Sequence, residues 1–311
     1  DQIYNKIETP NKEIDDFVIA RSDSSPVYNL VVAVDDHDMG ITHVIRGEDH
    51  VSNTPKQIMI YQALNWNLPS FAHLPMILGP DQKRLSKRHG AAGVQAFREQ
   101  GYLPEALNNY LALIGWNPGT DQEMFNMEQL AETFDLGKVN KKSAVFDDKK
   151  LNWISGHHLM FKSNKDILDN VRGLIPEWGK TESDVYVMKV IDQLKVRSKT
   201  LIQLAEQSKY FFTDPESIDK EAKMNSWKDN TRELLATYFK HISELDDWDQ
   251  NSLESLLRTV ANDAGVGAGK IIHPVRLALS GITHGPSLFI MMELLGKERC
   301  IRRIRTVINL L

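Results

Sequence analysis

Positive charge is concentrated in one short loop of the sequence. Residues 79–90 read GPDQKRLSKRHG, so four cationic side chains fall within six residues between two glycines. Lysine or arginine on such a loop can hold phosphate oxygens and stabilise the negative charge that develops during phosphoryl or nucleotidyl transfer. A solvated charge run is the alternative interpretation. Ser86, between two basic positions and after an apolar run, favours a phosphate clamp.

Short apolar runs before and around this loop predict the elements that position it. Leu30–Val34 is a continuous β-branched run, which predicts a strand buried on both faces with Asp35 and Asp36 at its end. His43–Arg46 and Leu74–Leu78 predict two further strands. The two aspartates could form an acid/base pair, but a structural role in a turn accounts for them equally well.

A helix is predicted to begin at Thr54, between the second and third of these strands. Thr54 can cap the helix, Pro55 suits its first turn, and Gln57 stands where a capping box needs Glu or Gln. Because strands and a helix alternate, the front of the chain is predicted to be α/β with a parallel sheet.

Helical periodicity dominates beyond Gly101. Pro104–Ile114 carries apolar residues at helical spacing, and similar segments follow one another from Asp166 to the end. Strand signals are nearly absent after residue 160. We therefore predict three parts: an α/β part at 1–95, an intermediate part at 96–160, and a helical domain at 161–311.

Composition excludes several classes of protein. The chain has 311 residues, 41% of them apolar, and 37 basic against 42 acidic side chains, which indicates a folded chain with a net charge of −5 rather than a disordered one. No apolar run is long enough to span a membrane. The single cysteine, Cys300, excludes a disulfide framework and a cysteine-based zinc cluster, and it favours the cytoplasm.

Several segments together resemble one family. Arg84–Arg88 is similar to the Lys-Met-Ser-Lys-Ser loop of class I aminoacyl-tRNA synthetases, in the form typical of glutamyl-tRNA synthetases. Val44–His50 and Ala72–Ile77 resemble the family's substrate-binding segments, and Gly101–Leu111 resembles the start of its stem-contact region. Pro274–Gly281, followed by LLGKER near the end, resembles its helical anticodon-binding domain. The resemblance covers essentially the whole chain.

The resemblance implies roles for residues at the front of the chain. It implies a catalytic loop that stabilises the transition state at the α-phosphate of ATP, formed by Arg84, Ser86, Lys87 and Arg88. It implies an ATP site formed by Lys87, Asp49, His50, Met76 and Ile77, and a glutamate site formed by Arg46 and Tyr28.

Two departures and two alternatives accompany these assignments. Arg84 replaces the lysine with which the family loop often begins, and Val32 stands where some members have a contacting asparagine, so that contact is not transferred. A structural ion pair with Glu48 or Asp49 is the alternative for Arg46, and burial beside a strand is the alternative for Tyr28.

The resemblance also implies partners. The helical domain would contact the anticodon of tRNA(Glu) through basic residues, for which the candidates are Arg276, Arg299, Arg302 and Arg303, each of which could equally be a solvated cation at a helix end. L-glutamate and ATP with Mg²⁺ would be substrates, with no zinc in this portion and no membrane contact. A monomer in the cytoplasm is expected.

One element of the family is missing from the sequence. Class I synthetases carry a His-x-Gly-His segment, and none of the 10 histidines provides that spacing. The chain is therefore expected to be the carboxyl-terminal portion of a longer enzyme and to be inactive alone. Two alternatives remain: a glutaminyl-tRNA synthetase, whose anticodon domains are usually β-barrels, and a non-catalytic tRNA-binding protein derived from a synthetase.

Overall fold

The computed structural model describes residues 1–86, 93–215, 224, 227–228 and 230–310. The chain divides into two compact units. The first unit comprises Asp1–Phe97 and Pro104–Ile154, and the second comprises Arg98–Leu103 and Ser155–Leu311. Among the described helices, none combines the length and the apolar character that crossing a bilayer would require.

Parallel strands and short helices make up the first unit, as the sequence predicts. The strands are β1 (His43–Gly47), β2 (Ser70–Leu74), β3 (Ile77–Leu78) and β4 (Ala144–Val145), and β1 pairs with β2 and β3 with β4, both in parallel. The helices, in chain order, are α1 (Tyr28–Asp38), α2 (Thr54–Ala63), α3 (Val94–Glu99), α4 (Pro104–Gly115), α5 (Met127–Thr133) and α6 (Asp148–Phe161). Helices α3 and α6 continue past Phe97 and Ile154, so their last residues belong to the second unit. Short 3-10 helices lie at Asn11–Glu13, Glu48–Asn53 and Leu136–Lys138.

The strand predicted at Leu30–Val34 is wrong, because this run lies inside helix α1. Only Ala33 in α1 is fully buried, and it packs with Ile60 and Tyr61 of α2. Asp35 and Asp36 continue the helix rather than ending a strand. A short apolar run does not distinguish a strand from a buried helix segment by periodicity, and packing against α2 decides the outcome.

The helix start predicted at Thr54 is confirmed, but its predicted capping box is wrong. The residue before the helix is Asn53, and no side chain caps the first turn. Thr54 Oγ1 instead donates to the carbonyl oxygen of His50 at 3.2 Å, and Gln57 donates to Asn29 at 3.2 Å. The apolar segment at residues 74–78 also differs from expectation, because Pro75 separates β2 from β3.

Among the described residues of the second unit, the regular elements are all helices. After α6 come α7 (Asn164–Leu174), α8 (Asp184–Lys195), α9 (Leu201–Phe212), α10 (Thr231–Ser243), α11 (Gln250–Asp263), α12 (Gly269–Ser280), α13 (Leu288–Leu295) and α14 (Lys297–Leu310). Helices α7, α8 and α9 pack on one another, while α10 packs against α11, α12 and α14. The helical periodicity beyond Gly101 is therefore confirmed.

Two tyrosines of this unit differ in what their hydroxyl groups contact. Tyr210 is 5% exposed, and its hydroxyl group has no hydrogen-bond partner among the described residues. Burial raises the pKa of Tyr210 well above its usual value. The hydroxyl group of Tyr186, in contrast, donates to the carbonyl oxygen of Phe211 at 3.2 Å.

Replacing each tyrosine by phenylalanine is expected to give opposite results. Tyr210→Phe should leave the free energy of unfolding unchanged or raise it, because it removes a desolvated hydroxyl group that has no partner among the described residues. Tyr186→Phe should lower it by about 1 kcal/mol through the lost hydrogen bond. Urea unfolding of the two variants measures the difference, and an equal loss in both would contradict the assignment.

Candidate active site

Arg46 lies at the centre of a polar network on strand β1. Its Nε donates to Nε2 of His73 at 3.1 Å, and its terminal NH2 group donates to Thr54 Oγ1 at 2.9 Å. The guanidinium is half-buried, and its carbon lies 5.7 Å from the ring centroid of Phe71. Burial lowers the pKa of Arg46, and the nearby hydroxyl group of Tyr28 and carboxylate of Asp36 act in the opposite direction.

The ion pair considered for Arg46 in the sequence does not form in the described structure. Glu48 accepts from the backbone N–H of Met76 at 2.9 Å and from the hydroxyl group of Tyr4. Asp49 instead pairs with Arg84 at 3.0 Å. Among the residues that the structure describes, no carboxylate forms an ion pair with Arg46. The charge of this guanidinium therefore lacks a direct counterion in the described structure.

Tyr28 and His50 contact each other beside Arg46. Tyr28 is the first residue of α1 and is 49% exposed, so it is not the buried tyrosine that the alternative interpretation requires. Its hydroxyl group lies 3.1 Å from Nδ1 of His50, and the two rings are 5.6 Å apart between centroids. The carbonyl oxygen of His50 accepts from Thr54. The structure thus brings together Tyr28, Arg46 and His50, which come from three separate elements.

The start of the cationic loop folds back onto β3. The backbone N–H of Gly79 donates to the carbonyl oxygen of Lys83 at 2.8 Å, and that of Leu85 donates to the carbonyl oxygen of Ile77 at 2.9 Å. This turn places Arg84 against Asp49, which follows β1. Backbone hydrogen bonds therefore fix where the cationic loop begins relative to Asp49.

The remaining residues of the predicted catalytic loop are only partly described. Ser86 is half-buried. Lys87 and Arg88 lie outside the described residues, so their predicted roles rest on the sequence alone. Met76 and Ile77 lie next to this loop, where the Met76 N–H binds Glu48.

Sequence reasoning missed three residues of this site. Thr54 was assigned only to a cap, and neither Glu48 nor His73 was given a role in binding. His73 lies inside the family-like segment AHLPMI, but its contact with Arg46 depends on the register of β1 and β2, which pairs the two residues directly. A strand register was the only signal that could have found it.

The arginines predicted to contact tRNA differ in burial and in hydrogen-bond partners. Arg303 is 4% exposed and donates to the carbonyl oxygens of Leu279 at 2.6 Å and Thr213 at 3.0 Å. It shares the carboxylate of Asp214 with Arg302, whose side chain is 56% exposed. The donors of Arg303 are therefore committed inside the fold, whereas Arg302 keeps an exposed surface.

The other two candidates are less buried than Arg303. Arg299 donates to the carbonyl oxygen of Phe211 at 2.8 Å and pairs with Glu182, while Arg276 is half-buried with a terminal nitrogen that lacks a described partner. Among the described residues, no cluster of three or more His, Cys, Asp or Glu side chains is placed to hold a metal ion.

Comparison with known families accounts for both units. Residues 1–153 match the family described as tRNA synthetases class I (E and Q), catalytic domain, and residues 165–308 match the family described as anticodon binding domain. The chain is thus built from the catalytic and anticodon-binding parts of a class I tRNA synthetase.

Individual relatives narrow the family. A glutamate–tRNA ligase of Moorella thermoacetica is 42% identical over 98% of this chain, and one of Syntrophobacter fumaroxidans is 42% identical over 99%. The crystal structure of a glutamate tRNA ligase from Elizabethkingia meningosepticum, in complex with its amino acid, superposes with a TM-score of 0.86 at 34% identity over 99% of this chain. The chain spans 64% and 66% of the two relatives and 65% of the solved structure. It belongs to the glutamate–tRNA ligase family.

Proposed function

We propose that this chain is part of an enzyme that activates L-glutamate with ATP and transfers it to tRNA(Glu). In the first step a carboxylate oxygen of glutamate attacks the α-phosphorus of ATP, forming glutamyl-adenylate and releasing pyrophosphate. In the second step the terminal hydroxyl group of tRNA attacks the activated carbonyl carbon and AMP leaves. The relatives' name, glutamate–tRNA ligase, supports this reaction.

The half-buried guanidinium of Arg46, without a carboxylate partner among the described residues, is the observation that supports glutamate as the substrate. A guanidinium offers a planar pair of donors that matches a carboxylate, and the two charges strengthen both hydrogen bonds. Tyr28 lies beside it and would contact the same amino acid. Glutamine carries an uncharged amide and would leave the cation without a counterion.

For ATP we propose the residues that surround the cationic loop. Arg84, Ser86, Lys87 and Arg88 would face the phosphates, where positive charge stabilises the transition state at the α-phosphorus. Asp49 and His50 would lie near the adenosine, and the backbone of Met76 and Ile77 would lie against adenine. The described residues include no ligand cluster for Mg²⁺, which commonly binds through substrate phosphates.

For tRNA we propose a division along the chain. Residues 96–160 would form the stem-contact region, and the helical part at 161–311 would contact the anticodon through exposed cations such as Arg302. The match of residues 165–308 to an anticodon-binding family supports the second assignment. The helical second unit also favours this function over a glutaminyl-tRNA synthetase with β-barrel anticodon domains. We further propose that the enzyme acts as a monomer in the cytoplasm.

The direct test is ATP–pyrophosphate exchange and tRNA charging by the natural full-length protein. We expect exchange with glutamate, weak or absent exchange with glutamine, and charging of tRNA(Glu). Charging of tRNA(Gln) with glutamine would favour the glutaminyl enzyme. Binding of tRNA without exchange for either amino acid would favour the non-catalytic alternative.

A further inference from the structure

His73 faces Arg46 across the parallel pair of strands β1 and β2. The register places the two residues opposite each other, and Arg46 Nε lies 3.1 Å from His73 Nε2. His73 is 1% exposed, so this contact is formed away from water. The imidazole is therefore a fixed neighbour of the guanidinium.

The hydrogen bonds of His73 determine its protonation. A guanidinium only donates, so Nε2 of His73 must accept from Arg46 and carries no proton. Nδ1 then holds the proton and donates to Oδ2 of Asp1 at 2.6 Å. Burial, followed by the nearby charge of Arg46, lowers the pKa of His73 to about 4. The imidazole is neutral at physiological pH.

The second side-chain acceptor for Arg46 is also neutral. Thr54 Oγ1 accepts from the terminal NH2 group of Arg46 at 2.9 Å. The charges of the Asp36 and Asp49 carboxylates raise the pKa of Arg46, but neither carboxylate forms an ion pair with it in the described structure. The carboxylate of Asp1 contacts the other ring nitrogen of His73. Two neutral acceptors thus fix the orientation of the guanidinium and do not cancel its charge.

We propose that His73 is a positioning residue of the glutamate site, which orients Arg46 through a neutral acceptor so that the guanidinium charge is left for the side-chain carboxylate of the substrate. A carboxylate at position 73 would orient Arg46 equally well but would take over the ion pair. Discrimination between glutamate and glutamine would then fall, because the substrate carboxylate would no longer be the counterion. This inference rests on the proposed function.

Three substitutions at position 73 of the natural full-length protein separate orientation from charge. His73→Gln keeps a neutral acceptor that can reach the position of Nε2, His73→Leu removes the acceptor, and His73→Glu adds a negative charge beside Arg46. Pyrophosphate exchange is measured with glutamate and with glutamine, and KM for ATP is followed as a control. Thermal unfolding reports whether each variant folds.

We expect His73→Leu to raise KM for glutamate by about tenfold with little change in KM for ATP, as for one lost charge-assisted hydrogen bond. His73→Gln should restore most of the loss. His73→Glu should raise KM for glutamate by about a hundredfold and narrow the preference for glutamate over glutamine. If His73→Leu fails to fold, the difference between the Gln and Glu variants still decides the point.

The inference would be overturned if the Gln and Glu variants had equal effects. It would also be overturned if the losses were confined to kcat and the preference for glutamate over glutamine were unchanged. Either result would give His73 a purely structural role. Failure of the proposed function gives a different result. In that case the unmodified protein would show no exchange with glutamate, or substitution of Arg46 itself would leave KM for glutamate unchanged.

Discussion

Arg46→Gln in the natural full-length protein is expected to lower kcat/KM for glutamate in pyrophosphate exchange by about 10²–10³-fold. The substitution removes the charge and one of the paired donors that would bind the substrate carboxylate, and truncating one partner of a buried charge pair costs about 2–5 kcal/mol. In the described structure no protein carboxylate pairs with Arg46. The substitution should therefore weaken binding of the substrate carboxylate, and the effect should appear mainly in KM for glutamate.

A matched control for this substitution is Arg21→Gln, an exposed arginine of the same unit whose described side-chain hydrogen bond is to Ser25 at 3.2 Å. It should leave exchange unchanged. Arg46→Lys should fall between the two, because it keeps the charge but loses the planar pair of donors. An Arg46→Gln variant that stays folded with normal KM for glutamate would contradict the assignment of the amino-acid site.

Arg303→Met is expected to be the most destabilising change among the basic residues of the last helix. The buried side chain donates to two backbone carbonyl oxygens, which would lose this donor, and to the carboxylate of Asp214, which would keep only Arg302. Breaking such a buried network costs about 3–5 kcal/mol. Urea unfolding of the purified protein, followed by circular dichroism, measures the free energy of unfolding.

Arg302→Met is the control, because it removes the neighbouring guanidinium from the same carboxylate at an exposed position. Its cost should be below about 1 kcal/mol, as for other exposed ion pairs. If both variants lose equally little stability, the conclusion that the buried hydrogen bonds of Arg303 stabilise the fold is refuted. For tRNA binding by folded protein we expect the opposite order, with Arg302→Met weakening binding more than Arg303→Met. Of these two arginines, Arg302 is the one with an exposed donor for a phosphate.

Local patterns in the sequence predicted much of the fold. Helical spacing predicted α4 and the helices of the second unit, because their apolar faces recur within a few residues. The run at Leu30–Val34 failed because four β-branched or branched apolar residues of five fit either a buried strand or a helix packed on α2. Only the tertiary contact of Ala33 with α2 distinguishes the two.

The site shows the same limit at the level of side chains. Resemblance pointed to Arg46, Tyr28 and His50, and the structure places them together. The roles of His73 and Arg303 were not readable, because their partners are distant in the chain: 27 residues separate Arg46 from His73, and 90 separate Arg303 from Thr213. A cluster of basic residues in a sequence is typical of an exposed surface. That one of them, Arg303, is buried becomes evident only from its acceptors in the folded chain.

The segment Arg98–Leu103 has a practical consequence for expressing the two units separately. It belongs to the second unit although the chain on both sides of it belongs to the first. Its Gly101 carbonyl oxygen accepts from the N–H of Leu201 at 2.9 Å, which satisfies an otherwise open amide at the start of α9. A gene cut after Ile154 would deliver the helical unit without this segment. Supplying residues 98–103 on a linker, or as a separate peptide, would give that amide its acceptor again.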